Sequence, residues 1–204
     1  MNLTQLNLKA QKLSDIVHTE PKIGIGRSDL THSSDESRLY RVGMRHSKNL
    51  KIVVDFEGIE LAPEGFMKLG GENKAVAYRQ PGKKVRLPVK KPKINGKQFK
   101  LYLATPAVFE KFWIPDLDKY GKQGIKLKLL TAVIGKPLFI GGFDMKGKQP
   151  KSMRKAVPAG SVYYFEIENG DMQRATDIFH GQSVSELKTA NEGIGISYVG
   201  GIKE

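Results

Sequence analysis

The sequence contains no cysteine. Disulfides, thiolate metal sites and cysteine nucleophiles are therefore excluded, and a reducing cytoplasm is the expected compartment. Long hydrophobic runs are also missing: no apolar stretch approaches the roughly 20 residues that cross a bilayer as a helix, so no membrane partner is expected. The first residues, Met1-Asn-Leu-Thr-Gln-Leu-Asn-Leu8, show no charged start followed by an apolar core, and no secretory leader is expected. Tryptophan is represented by Trp113 alone. With Phe109, Phe112 and Ile114 around it, a core position is predicted. The four histidines, His18, His32, His46 and His180, lack the four-residue spacing that holds a metal on a helix. No cofactor and no metal are expected.

Acidic residues are scarce in one region. Residues 79–155 carry 20 Lys/Arg against 4 Asp/Glu, a net of +16. Residues 1–78 are nearly balanced at +1, and residues 156–204 are acidic at −4. The whole-chain charge of +13 is therefore concentrated in one block rather than spread over an even surface. A concentrated basic block favours a polyanionic partner, RNA above all.

The length, 204 residues, suits one well-cored domain or two small ones. Residues 1–20 read as a polar, loosely helical lead-in. Short β-rich runs follow at Ile23–Gly26, Leu39–Val42, Leu50–Phe56, Leu69–Tyr78, Lys100–Ala104, Ile125–Ile134, Leu138–Phe143, Ser161–Ile167 and Ile194–Val199. The polar segment between the first two predicts a long loop or a hairpin. Residues 79–98, with Pro81, Pro88 and Pro92, predict an exposed basic loop. Helical pattern is weak, with one or two turns at Pro106–Phe112 and short segments at Met172–Phe179 and Val184–Thr189. The order is α+β, mainly β, without regular βαβ alternation.

Six motifs occur in order: Ile23-Gly-Ile-Gly-Arg27, Leu39-Tyr40, Leu69-Gly-Gly-Glu72, Gly141-Gly-Phe143, Pro158-Ala-Gly-Ser-Val-Tyr-Tyr164 and Gly193-Ile-Gly-Ile196. Together they resemble subunit three of the type III-B CRISPR Cmr effector complex, the fifth-Cas-type member of the RAMP superfamily. The resemblance covers about residues 20–201. It implies a ferredoxin-like (RRM-like) RAMP fold with a thumb-like hairpin and irregular basic loops. Residues 1–22 would be a polar remnant of a first ferredoxin-like fold, because family members are typically longer at that end. Residues 23–201 would be the RAMP domain, with its thumb at 27–41 and a glycine-rich loop at 193–201. The implied role is a non-catalytic scaffold that grips the 5′ tag of the guide RNA. The implied protein partners are the large palm-polymerase-like subunit and a backbone RAMP subunit.

The residues supply their own candidates. Arg27, Thr31, His32, Arg38 and Arg41 fall in the thumb segment, where guanidinium and hydroxyl groups suit phosphate and 2′-OH contacts. Without the resemblance the same segment reads as a solvated polar loop. Lys146, Lys148, Lys151, Arg154 and Lys155 form the tightest basic cluster. Gly193 and Gly195 can bring backbone N–H groups close to a phosphate, or can simply allow close packing at a strand edge. A dinucleotide-binding reading of Gly193-x-Gly195 fails, since the third glycine, the following helix and a βαβ context are missing. Of Tyr163 and Tyr164, adjacent on a strand, one is expected in the core. Asp116/Asp118 and Glu166/Glu168 are spaced to share one outward strand face. Two other functions remain open: a RAMP-type endoribonuclease using His32 or His46 as general base, and a generic basic RNA-binding protein outside CRISPR.

Overall fold

A computed structural model describes residues 12–28, 30–31, 33–47, 51–69, 74–82, 89–144, 146–186 and 192–202. The chain divides into two compact units, Met1–Val85 and Arg86–Glu204. The protein is mainly β, and every strand pair among the described residues is antiparallel.

In the first unit a 3-10 turn at Leu13–Asp15 precedes two hairpins. Strands β1 (His18–Arg27) and β2 (Ser34–His46) form the longer one, with a register shift between Ile25 and Arg27. The segment expected as a long loop or a hairpin is thus a hairpin, with residues 28–33 between its two strands. Strands β3 (Glu64–Leu69) and β4 (Lys74–Arg79) form the shorter one. Both hairpins use the same device. Gly24 pairs with Tyr40 and Gly65 with Tyr78, and each tyrosine ring covers the space where a glycine Cβ would stand. A ring laid over a bare cross-strand glycine restores packing that the glycine lacks. Among the residues of this unit whose side chains are described, none is buried.

The strand expected at Leu50–Phe56 does not form over residues 51–56; residue 50 lies outside the described residues. Ile52, Val53, Val54 and Phe56 are all exposed. A β-branched run favours a pleated surface only where a partner strand and a buried face exist, and among the described residues this run has neither.

The second unit begins with β5 (Gln98–Leu103), α1 (Asp118–Gly121) and β6 (Lys126–Val133). Four short strands follow: β7 (Leu138–Ile140), β8 (Phe143–Asp144), β9 (Gln149–Pro150) and β10 (Arg154–Ala156). The chain then runs through β11 (Val162–Asn169), α2 (Met172–Phe179), β12 (Gln182–Ser183) and β13 (Ile196–Gly201). The sheet order is β12-β13-β5-β11-β6. With the two-residue edge strand β12 set aside, β5-α1-β6-β11-α2-β13 is a ferredoxin-like βαββαβ unit whose strands lie 4-1-3-2. Its first helix is reduced to one turn, and β7–β10 are inserted between its second and third strands.

The period-2 alternation of the strands builds the core. Phe99, Leu101 and Leu103 of β5, Tyr163, Phe165 and Ile167 of β11, and Val199 of β13 point inward. Helix α2 covers that side with Ala175, Thr176 and Phe179, one face at helical spacing. Asp171 caps its start, accepting from the Arg174 N–H at 2.7 Å. Gly181, at φ +75°, ends it and donates to the Ser197 carbonyl. Phe179 packs edge-on against Tyr120, 4.8 Å between ring centroids. Truncating Phe99, Phe165 or Phe179 to Ala would cost about 3–5 kcal/mol each.

Residues 106–112 are not helical. Ala107 exchanges both backbone hydrogen bonds with Val157, and the Val108 and Glu110 amides donate to the Ser185 hydroxyl and the Glu186 carboxylate. Tertiary acceptors have taken the amides a helix would need. Residues 184–186 are irregular, and the rest of that expected helix lies outside the described residues.

Candidate nucleic-acid interface

The inserted strands carry the basic cluster. Strand β10 pairs with β7, placing Arg154 opposite Ile140 and Lys155 opposite Phe139. The small β8–β9 hairpin turns through Lys146, Gly147 and Lys148. Asp144 holds this turn, accepting from the Lys146 and Gly147 amides at 3.0 Å each. Those two hydrogen bonds, Gly147 first, keep its carboxyl below the usual carboxylate range. Lys148 sits at φ +50°, a left-handed conformation uncommon for a side-chain-bearing residue. Lys146, Lys148, Lys151, Arg154 and Lys155 are all exposed.

Lys151 and Arg154 line a cleft of about 390 Å³ together with Asp144, Glu192 and Ile194. The Lys151 ammonium is paired with the Glu192 carboxylate at 2.8 Å. Arg154 also borders a smaller cleft of about 300 Å³ with Phe112 and Lys155. There the Lys155 ammonium lies 5.8 Å from the centre of the Phe112 ring, within cation–π range. The fold therefore brings Lys151, Arg154 and the segment around Gly193 onto one rim, although the sequence separates them by about 40 residues.

The glycine segment is a turn only at its start; residues 196–201 are strand β13 rather than loop. Gly193 is exposed at φ +73°, and its carbonyl accepts from the Thr105 hydroxyl at 3.0 Å. Gly195 is buried, and its N–H donates to the Pro106 carbonyl at 2.7 Å. The Ile196 N–H donates to the Thr105 Oγ1 at 2.8 Å. The Gly195 amide offered to a phosphate by the sequence is thus already engaged, and close packing is what this glycine allows.

In the first unit, Arg41 lies exposed on β2 opposite Ile23. Thr31 sits in the connection, its hydroxyl 2.7 Å from that of Ser33. Arg27 ends β1 and Arg38 lies within β2, but their side chains, like His32 altogether, lie outside the described residues. The hairpin also brings together a group separated in sequence. The rings of His18 and His46 lie 5.8 Å apart, and His46 Nδ1 is 3.8 Å from the Glu20 carboxylate.

Other expected positions resolve plainly. Tyr163 is the core tyrosine, its hydroxyl donating to the Trp113 carbonyl at 2.6 Å, and burial pushes its phenol up. Trp113 itself is not core but 38% exposed, its backbone rather than its ring doing the tethering. Glu166 and Glu168 share a strand face as expected, Glu168 pairing with Lys126 at 3.0 Å. Asp116 is not on a strand; its carboxylate accepts from the Asp118 N–H at 3.1 Å at the start of α1. Glu186, unremarked in the sequence, fastens the 110–116 segment by accepting from the Glu110 and Asp116 amides at 2.7 Å each.

Among the described residues no group of three or more His, Asp or Glu is arranged to hold a metal ion. No described helix is long and apolar enough to cross a membrane.

The model of a family of CRISPR-associated proteins (Cas_Cmr3) matches residues 5–197. No curated protein matches the chain. Among solved structures, the chain is similar to one chain of type III-B Cmr-beta bound to cognate target RNA, determined by cryo-EM. The identity is 20% and the TM-score 0.43, covering 74% of this chain and 46% of that one. It is also similar to a chain of Cmr-beta bound to cognate target RNA and AMPPnP, at 23% identity and TM-score 0.45, covering 74% and 47%. The chain spans about half the length of the solved chains it matches.

Proposed function

The chain belongs to the CRISPR-associated Cas_Cmr3 family, and from that membership we propose that it is a non-catalytic, guide-RNA-binding scaffold of a type III-B effector complex. In this reading it grips the 5′ tag of the guide. It also docks the large palm-polymerase-like subunit and a backbone RAMP subunit, and it works in the cytoplasm. The observation that carries the RNA part is the cleft rimmed by Lys151 and Arg154 beside the Gly193 turn, within the segment of net +16. Exposed cations on a short, hydrogen-bonded insert can neutralise successive phosphates without distorting the sheet beneath. Lys146, Lys148 and Lys155 extend the same rim. The hairpin residues Arg27, Thr31, His32, Arg38 and Arg41 are proposed as a second set of backbone contacts. The Glu192 carboxylate is paired with Lys151, so a phosphate at this rim competes with it for the ammonium.

The test is binding of a 5′-tagged guide RNA across a salt series. Replacing Lys151, Arg154 and Lys155 together with Ala should weaken binding. The slope of log K against log salt should flatten by up to about 2, at about 0.7 per phosphate contact on a single strand. An unchanged slope would move the interface away from the insert. One observation favours a second reading: His18, His46 and Glu20 cluster at the hairpin base, a set from which an acid–base pair could be built. RNA recovered intact from the binding assay supports the scaffold. Cleavage abolished by His46→Ala would support the endoribonuclease instead.

A further inference from the structure

The ferredoxin-like sheet has one face under α2 and one that the core does not use. Alternation assigns the second face. From β5 it takes Lys100 and Tyr102, from β11 Val162 and Tyr164, and from β13 Ile196, Tyr198 and Gly200. Their neighbours Phe99, Leu101, Tyr163, Phe165, Ser197 and Val199 are buried on the other side.

The register brings three tyrosines together. Tyr102 stands directly between Tyr198 and Val162, and Lys100 directly between Gly200 and Tyr164. Opposed residues in antiparallel strands lie about 5 Å apart and diagonal ones about 7–8 Å. Tyr102 is therefore adjacent to Tyr198 and diagonal to Tyr164. It is 45% exposed, a large ring displayed rather than buried, on one of the two central strands of the 4-1-3-2 sheet. Lys100 adds charge to this surface. Its side chain lies over Gly200, where a Cβ would stand 3.0 Å from the Lys100 Cε. The missing side chain lets the aliphatic stem of the lysine lie across β13 at Gly200. Toward one end the face turns acidic, with Glu166 opposite Lys128, and Glu168 paired with Lys126.

We propose that Tyr102, Tyr164 and Tyr198 form a stacking platform for two or three consecutive bases of single-stranded RNA, with Lys100 meeting the phosphate between them. Every base has a π-face, so such a surface holds RNA with little regard to sequence. The acidic end limits the platform to the tyrosine end. The inference rests on the RNA-binding reading and adds a second surface to it, separate from the cleft on the insert.

The full chain is titrated with unstructured oligouridine, comparing the parent with Tyr102→Ala, Tyr198→Ala and Tyr102→Phe. Each Ala variant should bind about 5- to 150-fold more weakly, the factor that about 1–3 kcal/mol per stacked base produces. Tyr102→Phe should bind like the parent, because it keeps the ring. The salt slope should stay the same in all three, because no phosphate contact is lost. Equal affinity for parent and Ala variants would overturn the platform and leave this face for a protein surface. So would equal losses in Tyr102→Ala and Tyr102→Phe, which would mark a structural role for the hydroxyl. The Lys151/Arg154/Lys155 variant separates the two proposals. If it loses binding while the tyrosine variants do not, the platform fails and the scaffold reading stands. If the parent chain itself does not bind RNA, the scaffold reading fails.

Discussion

At Gly195 the backbone conformation and the surroundings both demand the absence of a side chain. Its φ is +84°, and an added Cβ would stand 2.5 Å from the Ser185 hydroxyl and 2.6 Å from the Ser185 amide. Gly193 has a similar φ of +73°, yet nothing lies within 4 Å of where its Cβ would be. The two glycines therefore differ in a measurable way. Gly195→Ala should lower unfolding free energy by about 1–3 kcal/mol, the range for strained backbone held by its surroundings. Gly193→Ala should cost only the left-handed conformation, about 1–2 kcal/mol at most. Denaturant midpoints compare them, and equal losses would show that the Ser185 contact relaxes freely. The pair stood out in the sequence, but their different duties did not. What separates them is the contact of Gly195 with Pro106 and Ser185, the first of which the sequence places about 90 residues away. The basic cluster was legible for the opposite reason: charge density is a property of composition and survives any fold. Glu192, the partner of Lys151, was not legible, because that ion pair exists only once the glycine turn lies against the insert.

Elements with one buried face were read well, since alternation records burial directly. Strands β5, β6, β11 and β13 and helix α2 all fall where the patterning placed them. Two segments were misread: residues 51–56 have strand composition but pair with no described strand, and residues 106–112, although Ala107, Val108 and Phe109 are buried, give their amides to β-bridges and side chains. The turn of the β8–β9 hairpin is fastened by the Asp144 carboxylate, and this gives it a pH dependence. Asp144 has its native carboxyl lowered by hydrogen bonds from Gly147 and Lys146. A group with a depressed native pKa stabilises above its unfolded value, about 3.9, and loses that contribution as pH falls through the native value. Asp144→Ala should therefore be less stable than the parent at neutral pH. The difference should close in acid as the parent's own carboxyl takes up its proton. Unfolding midpoints across a pH series test it, and a difference that is constant down to the acid limit would mean that the turn does not depend on the charge.

For the molecule as a whole, burial and charge are divided unequally along the chain. Every buried residue among those described lies between Phe99 and Val199. The hairpins of Met1–Val85 display their apolar side chains instead: Ile23 is 69% exposed, Leu39 70% and Phe66 81%. Two-stranded hairpins without an apolar face covered are marginally stable in water, and local opening free energy follows the contacts that opening must break. The isolated chain should therefore show amide hydrogen exchange that is fast in β1–β4 and slow in β5, β11 and β13. Assembly with guide RNA and partner subunits would stabilise the hairpins by mass action, in proportion to how tightly they are bound. On the proposed function, exchange in β1 and β2 should slow by orders of magnitude in the assembled complex, while β5 and β11 change little. Equal protection of both units in the isolated chain would show that the hairpins are stable without a partner. No slowing on assembly would place the RNA and the partner subunits elsewhere, and would remove Arg41 and Thr31 from the interface.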